Sequence, residues 1–212
     1  MPSAHAKSGR LMRQAVADIF PAFTKTYEGY VPFLYLDVKG LVTCGCGNLV
    51  DPVQYAMGLP WLIDGDPTNP ADDAAILQAW QDVKARQDLA QAGGVAFAGV
   101  THLRLTSAAI DALVRSKCNS NESALAQRIP NWTQLPASAQ LATLSLAWAC
   151  GPWFAFPKFL AALKACDWAT CGLECQMDAT GNPGLVPRNR AQAKLFGACA
   201  QGFDPDAVAW NA

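Results

Sequence analysis

Residues 28–47 read EGYVPFLYLDVKGLVTCGCG. Phe33, Tyr35 and Asp37 fall on one side of an extended strand, because strand side chains alternate with period two. Val38-Lys39-Gly40 fits a turn. Residues 41–47 then resume a strand in which glycine weakens regularity and permits close backbone approach. The stretch predicts a β-hairpin. It also sets two carboxylates, Glu28 and Asp37, beside apolar material, with Thr43 on the return strand.

Outward from the hairpin the pattern turns helical. Residues 10–27 carry apolar side chains at helical spacing, and Pro21 is expected to bend or split that helix. Residues 51–71, rich in Pro and Gly, read as loop. A helix is expected from Asp72 to just before Gly93-Gly94, while residues 95–105 are ambiguous and partly extended. Thr106 fits an N-cap for the helix beginning at Ser107. Further helices are expected at 121–129, 137–150, 155–168 and 188–200, with a loop at 176–187 and a tail at 201–212. The expected fold is α+β: one bilobed domain over residues 1–212. Its small hairpin lobe spans about 29–71, its larger helical lobe spans about 72–200 plus the N-terminal helix, and a cleft lies between them.

The chain has 212 residues, enough for a sizeable core, and is 51% apolar. A formal net charge of -1 gives no field for nucleic acid. No apolar run reaches the length of a membrane span. The N-terminal twenty residues show no secretory pattern, so synthesis in the cytoplasm is expected. Eight cysteines fit either disulfides of an oxidising compartment or buried thiols. At least one disulfide is expected among Cys118, Cys150, Cys166, Cys171, Cys175 and Cys199. No paired Cys-x-x-Cys clusters are present, and His5 and His102 are far from the cysteine-rich segment, so no metal and no cofactor are expected.

A helix end and a hairpin can face each other across a cleft. Carboxylates held that way suit glycosidic hydrolysis, where one protonates the leaving oxygen and the other handles water. Thr43 could hold that water close to Asp37. Carboxylates at such spacing are common on protein surfaces, so spacing alone assigns no chemistry.

Glu28-Gly29, Tyr35, Asp37, Gly40, Thr43, Gly45 and Gly47 together resemble the active-site region of the phage-type lysozymes, the muramidases of glycoside hydrolase family 24. Further segments are similar as well: LSLAWACG at 144–151, GPWFAFPKFLAAL at 151–163, CDWATC at 166–171 and VPRNRAQAKLF at 186–196. The likeness is weakest over 51–105, where this chain is longer than compact members.

The resemblance implies Glu28 as general acid, Asp37 as second carboxylate and Thr43 as helper in placing water. It also implies Arg190 beside Glu28, and Tyr35 and Ser145 among the residues facing substrate. An arginine there opposes the holding of an acid's proton, which apolar neighbours such as Tyr30 and Trp148 would offset. Trp61 and Trp153, next to Pro or Gly in expected loops, are the tryptophans suited to a groove wall; the others fit helical core patterns.

The implied partner is bacterial peptidoglycan, cleaved in the periplasm after holin-type release or after injection into a rival cell. Injection would bring in a cognate inhibitor protein. Two rival readings are a non-catalytic glycan-binding module of the same shape and a structural protein whose carboxylates are incidental.

Overall fold

The computed structural model describes residues 11–210. Of the twenty residues read for a leader, the first ten lie outside the described residues, as does the tail end at 211–212. The described chain is α+β, with eight α-helices and a small antiparallel sheet beside a short two-stranded pair. It divides into two compact units. One spans Thr24–Val114; the other joins the described residues up to Phe23 with those from Arg115 onward.

Two helices run from one unit into the other. The first, α1, is Gln14–Glu28. It is continuous through Pro21, so the expected break does not occur. A proline removes one N–H from the helix ladder. Val16, Phe20, Phe23 and Thr24 nevertheless form a buried stripe at helical spacing, and such a stripe holds a helix more strongly than one missing bond weakens it.

The Thr24–Val114 unit carries β1 (Val31–Leu36), β2 (Val42–Gly45) and β3 (Asn48–Leu49), paired in that order. The β1–β2 register sets Tyr35 opposite Thr43 and Leu36 opposite Val42. Leu34, Leu36, Val42 and Cys44 are fully buried, which fits the alternation of a sheet with one face on the core. After the short helix α2 (Gln54–Met57) and strand β4 (Leu62–Ile63) comes α3, Asp73–Ala85. Its start is set by Asp72, whose side chain accepts from the Ala75 N–H at 2.8 Å. Ile76, Ala79 and Val83 are its buried stripe. Because that stripe packs on β1 and β2, α3 belongs with the hairpin, where the sequence reading had placed it in the helical lobe. Strand β5 (Leu103–Arg104) pairs with β4.

One ion pair braces the hairpin. Lys84 on α3 meets Asp51 Oδ2 at 2.5 Å and donates to the Gly40 carbonyl at 2.9 Å. Burial opposes charge on Asp51, but hydrogen bonds from Lys84 and from the Val42 N–H prevail and hold its carboxyl below the ordinary range. A depressed carboxylate adds stability at pH above its unfolded value and loses it as pH falls through the folded one. Lys84→Met should therefore cost roughly 1 kcal/mol near neutrality, since the pair is partly exposed. The variant's melting temperature should also fall less on acidification than the wild type's. Equal acid sensitivity of both proteins would discount the brace.

The fourth helix, α4, is Ser107–Arg128, one helix where two were expected. In the second unit α5, Ala137–Cys150, is buried along almost its whole length, as a helix apolar all round must be. Around it are α6 (Pro157–Lys164), α7 (Trp168–Glu174) and α8 (Leu185–Ala200). Gly172 faces α8, where a Cβ would make ordinary contact with Ala193 and Phe196. Phe159 and Phe196 stack edge to face at 5.6 Å beneath them. The tail docks through Trp210, whose ring lies 5.4 Å from Phe23.

None of the eight cysteines is in a disulfide, so the expected disulfide is corrected. Burial pushes the thiols of Cys44 and Cys171 up to about 12 and that of Cys175 up to about 11. Thiols held so far from ionisation act as small apolar core residues.

Candidate active site

Glu28 is the last residue of α1. Gly29 follows at φ +74°, a left-handed turn that glycine makes without strain and that sends the chain into β1. The Glu28 carboxylate lies against the β2–β3 turn: a Cβ on Gly47 would stand 3.5 Å from Oε2. Gly47 itself has φ +73°, a left-handed conformation that glycine takes without strain.

Asp37 ends the first strand and builds the turn after it. Its N–H donates to the Leu41 carbonyl at 3.0 Å and its carbonyl accepts from the Gly40 N–H at 2.9 Å. Its Oδ1 accepts from the N–H groups of Lys39 (2.8 Å) and Leu41 (3.0 Å). This is the side-chain turn that aspartate favours. One carboxylate oxygen is thereby fixed, and Oδ2 is left with acceptor capacity.

Thr43 stands on β2 opposite Tyr35 and is 4% exposed. Its hydroxyl donates to the Leu41 carbonyl at 3.2 Å. With the proton committed, Oγ1 keeps acceptor capacity in a buried setting. Tyr35 is half-buried within electrostatic reach of Glu28 and Asp37. Burial chiefly, then Cys44, Glu28 and Asp37, push its phenol well above the ordinary tyrosine range, so it stays neutral. The 3-10 turn Gly94–Phe97 closes over it; a Cβ on Gly94 would come within 3.4 Å of the ring. The Thr24–Val114 unit thus assembles Glu28, Asp37, Thr43 and Tyr35.

The remaining expected site residues fare differently. Trp61 is 1% exposed, and its indole N–H donates to the Ala56 carbonyl at 2.9 Å. It is a core tryptophan and offers no face to a sugar. Ser145 on α5 is 2% exposed, with Oγ 3.0 Å from the side-chain amide of Gln192 on α8. It is a packing contact between two helices, and it presents no hydroxyl to substrate. Trp153, in the second unit, is 64% exposed, with the Arg128 guanidinium 5.4 Å from its ring centre. Arg190 on α8 is exposed, whereas its neighbours Arg188 and Asn189 are buried. Asn189 exchanges two hydrogen bonds with the Met177 backbone, so in the Asn-Arg-Ala triplet it is the asparagine that anchors the helix.

Two residues that the sequence reading passed over pair with each other in this unit. Lys25 precedes Glu28 by one turn of α1, and Asp111 on α4 meets the Lys25 ammonium at 2.7 Å. Helical spacing from Glu28 could have singled out Lys25; only the packing of α4 brings in Asp111. Among the described residues no group of three or more His, Cys, Asp or Glu side chains could hold a metal ion, and no helix is long and apolar enough to cross a membrane. A scan against protein-family models matches none, and a search of curated proteins finds no match.

Proposed function

We propose that this protein is a peptidoglycan hydrolase of the lysozyme kind, cleaving the β-1,4 bond between N-acetylmuramic acid and N-acetylglucosamine. The observation that carries the reading is the gathering of Glu28, Asp37 and Thr43 around Tyr35 within one compact unit. A helix-end carboxylate and a turn-fixed carboxylate with acceptor capacity left supply the acid and the water holder that glycoside hydrolysis needs. The resemblance of residues 28–47 to the phage-type lysozymes supplies the substrate class.

In this mechanism Glu28 protonates the glycosidic oxygen as the bond to the anomeric carbon breaks. Asp37 Oδ2 and Thr43 Oγ1 accept hydrogen bonds from one water. That water attacks the anomeric carbon from the opposite face of the sugar, and its proton passes to Asp37. Attack by water on that face inverts the anomeric configuration, for which carboxyl groups stand about 6.5–9.5 Å apart. Trp153 offers an exposed ring for sugar stacking. The bilobed lysozyme fold, with its cleft, belongs to the same proposal. So does action in the periplasm as an endolysin or an injected effector, the latter with its cognate inhibitor.

Digestion of purified peptidoglycan, with fragments read by mass spectrometry, tests the reading. Muropeptides ending in reducing N-acetylmuramic acid are expected. Released peptides with intact glycan strands would mean an amidase or peptidase, and binding without any fragments would mean a glycan-binding module.

A further inference from the structure

The turn that carries Asp37 is gripped by a second segment of the same unit. Within the turn, Asp37 Oδ1 accepts from the Lys39 and Leu41 N–H groups. The Leu41 carbonyl accepts from the Asp37 N–H at 3.0 Å and from the Thr43 hydroxyl at 3.2 Å. Asp37 and Thr43 therefore share one carbonyl as an anchor, and a shift of the turn displaces both. Two further turn carbonyls are bonded from outside. The Gln91 carboxamide donates to the Val38 carbonyl at 2.9 Å. The Gly40 carbonyl accepts from Lys84 Nζ at 2.9 Å and from the Gln87 carboxamide at 3.3 Å. These donors follow one another along the chain. Lys84 is in the last turn of α3, and Gln87 opens the 3-10 turn Gln87–Leu89. The Gln87 carboxamide also donates to the Lys84 carbonyl at 2.9 Å, which joins the two donors on Gly40. A Cβ on Gly40 would run into that carboxamide, so the segment lies directly on the turn.

Lys84 contributes to stability through Asp51. Gln87 and Gln91 are exposed, and so is Val38. Water can replace an amide donor lost there at little cost in stability. What the carboxamides supply is a fixed position, because water bonds the same carbonyls without tying them to another segment. Position matters steeply, since a misplacement of about 1 Å can cost roughly 10²-fold in rate. We propose that Gln91 is a positioning residue of this site, with Gln87 as its partner: their carboxamides clamp the Asp37 turn and so hold the Asp37 carboxylate and the Thr43 hydroxyl in register for one water. The inference rests on the reading of Asp37 and Thr43 as the water holders.

The test is Gln91→Leu in the full chain, since leucine fills similar space and has no N–H to donate. The maximal rate of peptidoglycan digestion should fall roughly tenfold. Co-sedimentation with insoluble peptidoglycan and melting temperature should stay at their wild-type values. The amide hydrogens of Lys39 and Leu41 should exchange roughly tenfold faster, because their bonds to Asp37 Oδ1 open as the turn loosens. Gln87→Leu should show the same pattern with a smaller loss, because Lys84 still holds the Gly40 carbonyl. Gln91→His, whose ring offers an N–H at similar reach, should recover most of the rate. Should Gln91→Leu fail to fold, Gln91→Ala carries the same comparison. A folded variant with the wild-type rate would overturn the inference. So would a fall in rate matched by a fall in binding, unchanged exchange at Lys39 and Leu41, or a histidine variant no faster than the leucine one. Wild type inactive on peptidoglycan, or Asp37→Asn as active as wild type, would instead overturn the reading of the site itself, and the exchange rates would still report whether Gln91 holds the turn.

Discussion

Glu28→Gln is expected to abolish most turnover, a loss of roughly 10²-fold or more, while leaving the fold and cell-wall binding intact. Glutamine keeps the length and the polar tip that lie against the Gly47 turn. It has no proton to deliver at neutral pH. Melting temperature and co-sedimentation with insoluble peptidoglycan should match the wild type, so the loss falls on kcat. Equal digestion by both proteins would remove Glu28 as the acid. A drop in binding equal to the drop in turnover would make it a substrate contact.

Asp37 separates into two functions that two substitutions distinguish. Asp37→Asn keeps an oxygen able to accept from the Lys39 and Leu41 N–H groups, so the turn should persist. It loses the negative charge and the capacity to take a proton from water, and turnover should fall roughly 10²-fold. Asp37→Ala should lose the same activity and also about 1–2 kcal/mol of stability, because two backbone donors lose their acceptor. Thermal melts and digestion rates on the two variants settle the division. An asparagine variant with full activity would leave Asp37 as a turn former only. That is the whole of its role in the structural-protein reading.

The hairpin could be read from residues 28–47 because its determinants are local. Alternation puts Leu34 and Leu36 on one face and Tyr35 on the other, and the register Tyr35–Thr43 follows from a short turn that Asp37 and Gly40 close. The start of α3 was equally legible, since Asp72 caps it with its own side chain. The meeting of Glu28, Asp37 and Thr43 near Tyr35 grows from the same segment, which is why the candidate residues could be named before any packing was known.

What failed in the sequence reading depended on burial by distant elements. Trp61 reads as a loop tryptophan beside Pro60, yet it is enclosed and its N–H is satisfied locally. Ser145 is polar on a helix, but α8 brings Gln192 against it. Pro21 reads as a break, and the buried stripe of α1 overrides it. Cysteine count suggested a disulfide, while pairing needs thiols brought into a specific geometry that spacing does not encode. Lys25 and Asp111 meet only because α4 starts alongside the end of α1.

By itself, then, the sequence determined the α+β class and the hairpin that carries Asp37 and Thr43. Period, turn chemistry and left-handed glycines act within a few residues. Only the tertiary structure decided which polar and aromatic side chains remain open to a ligand and which charge lies beside which. Burial and Coulomb energies depend on neighbours that the chain brings together from far apart.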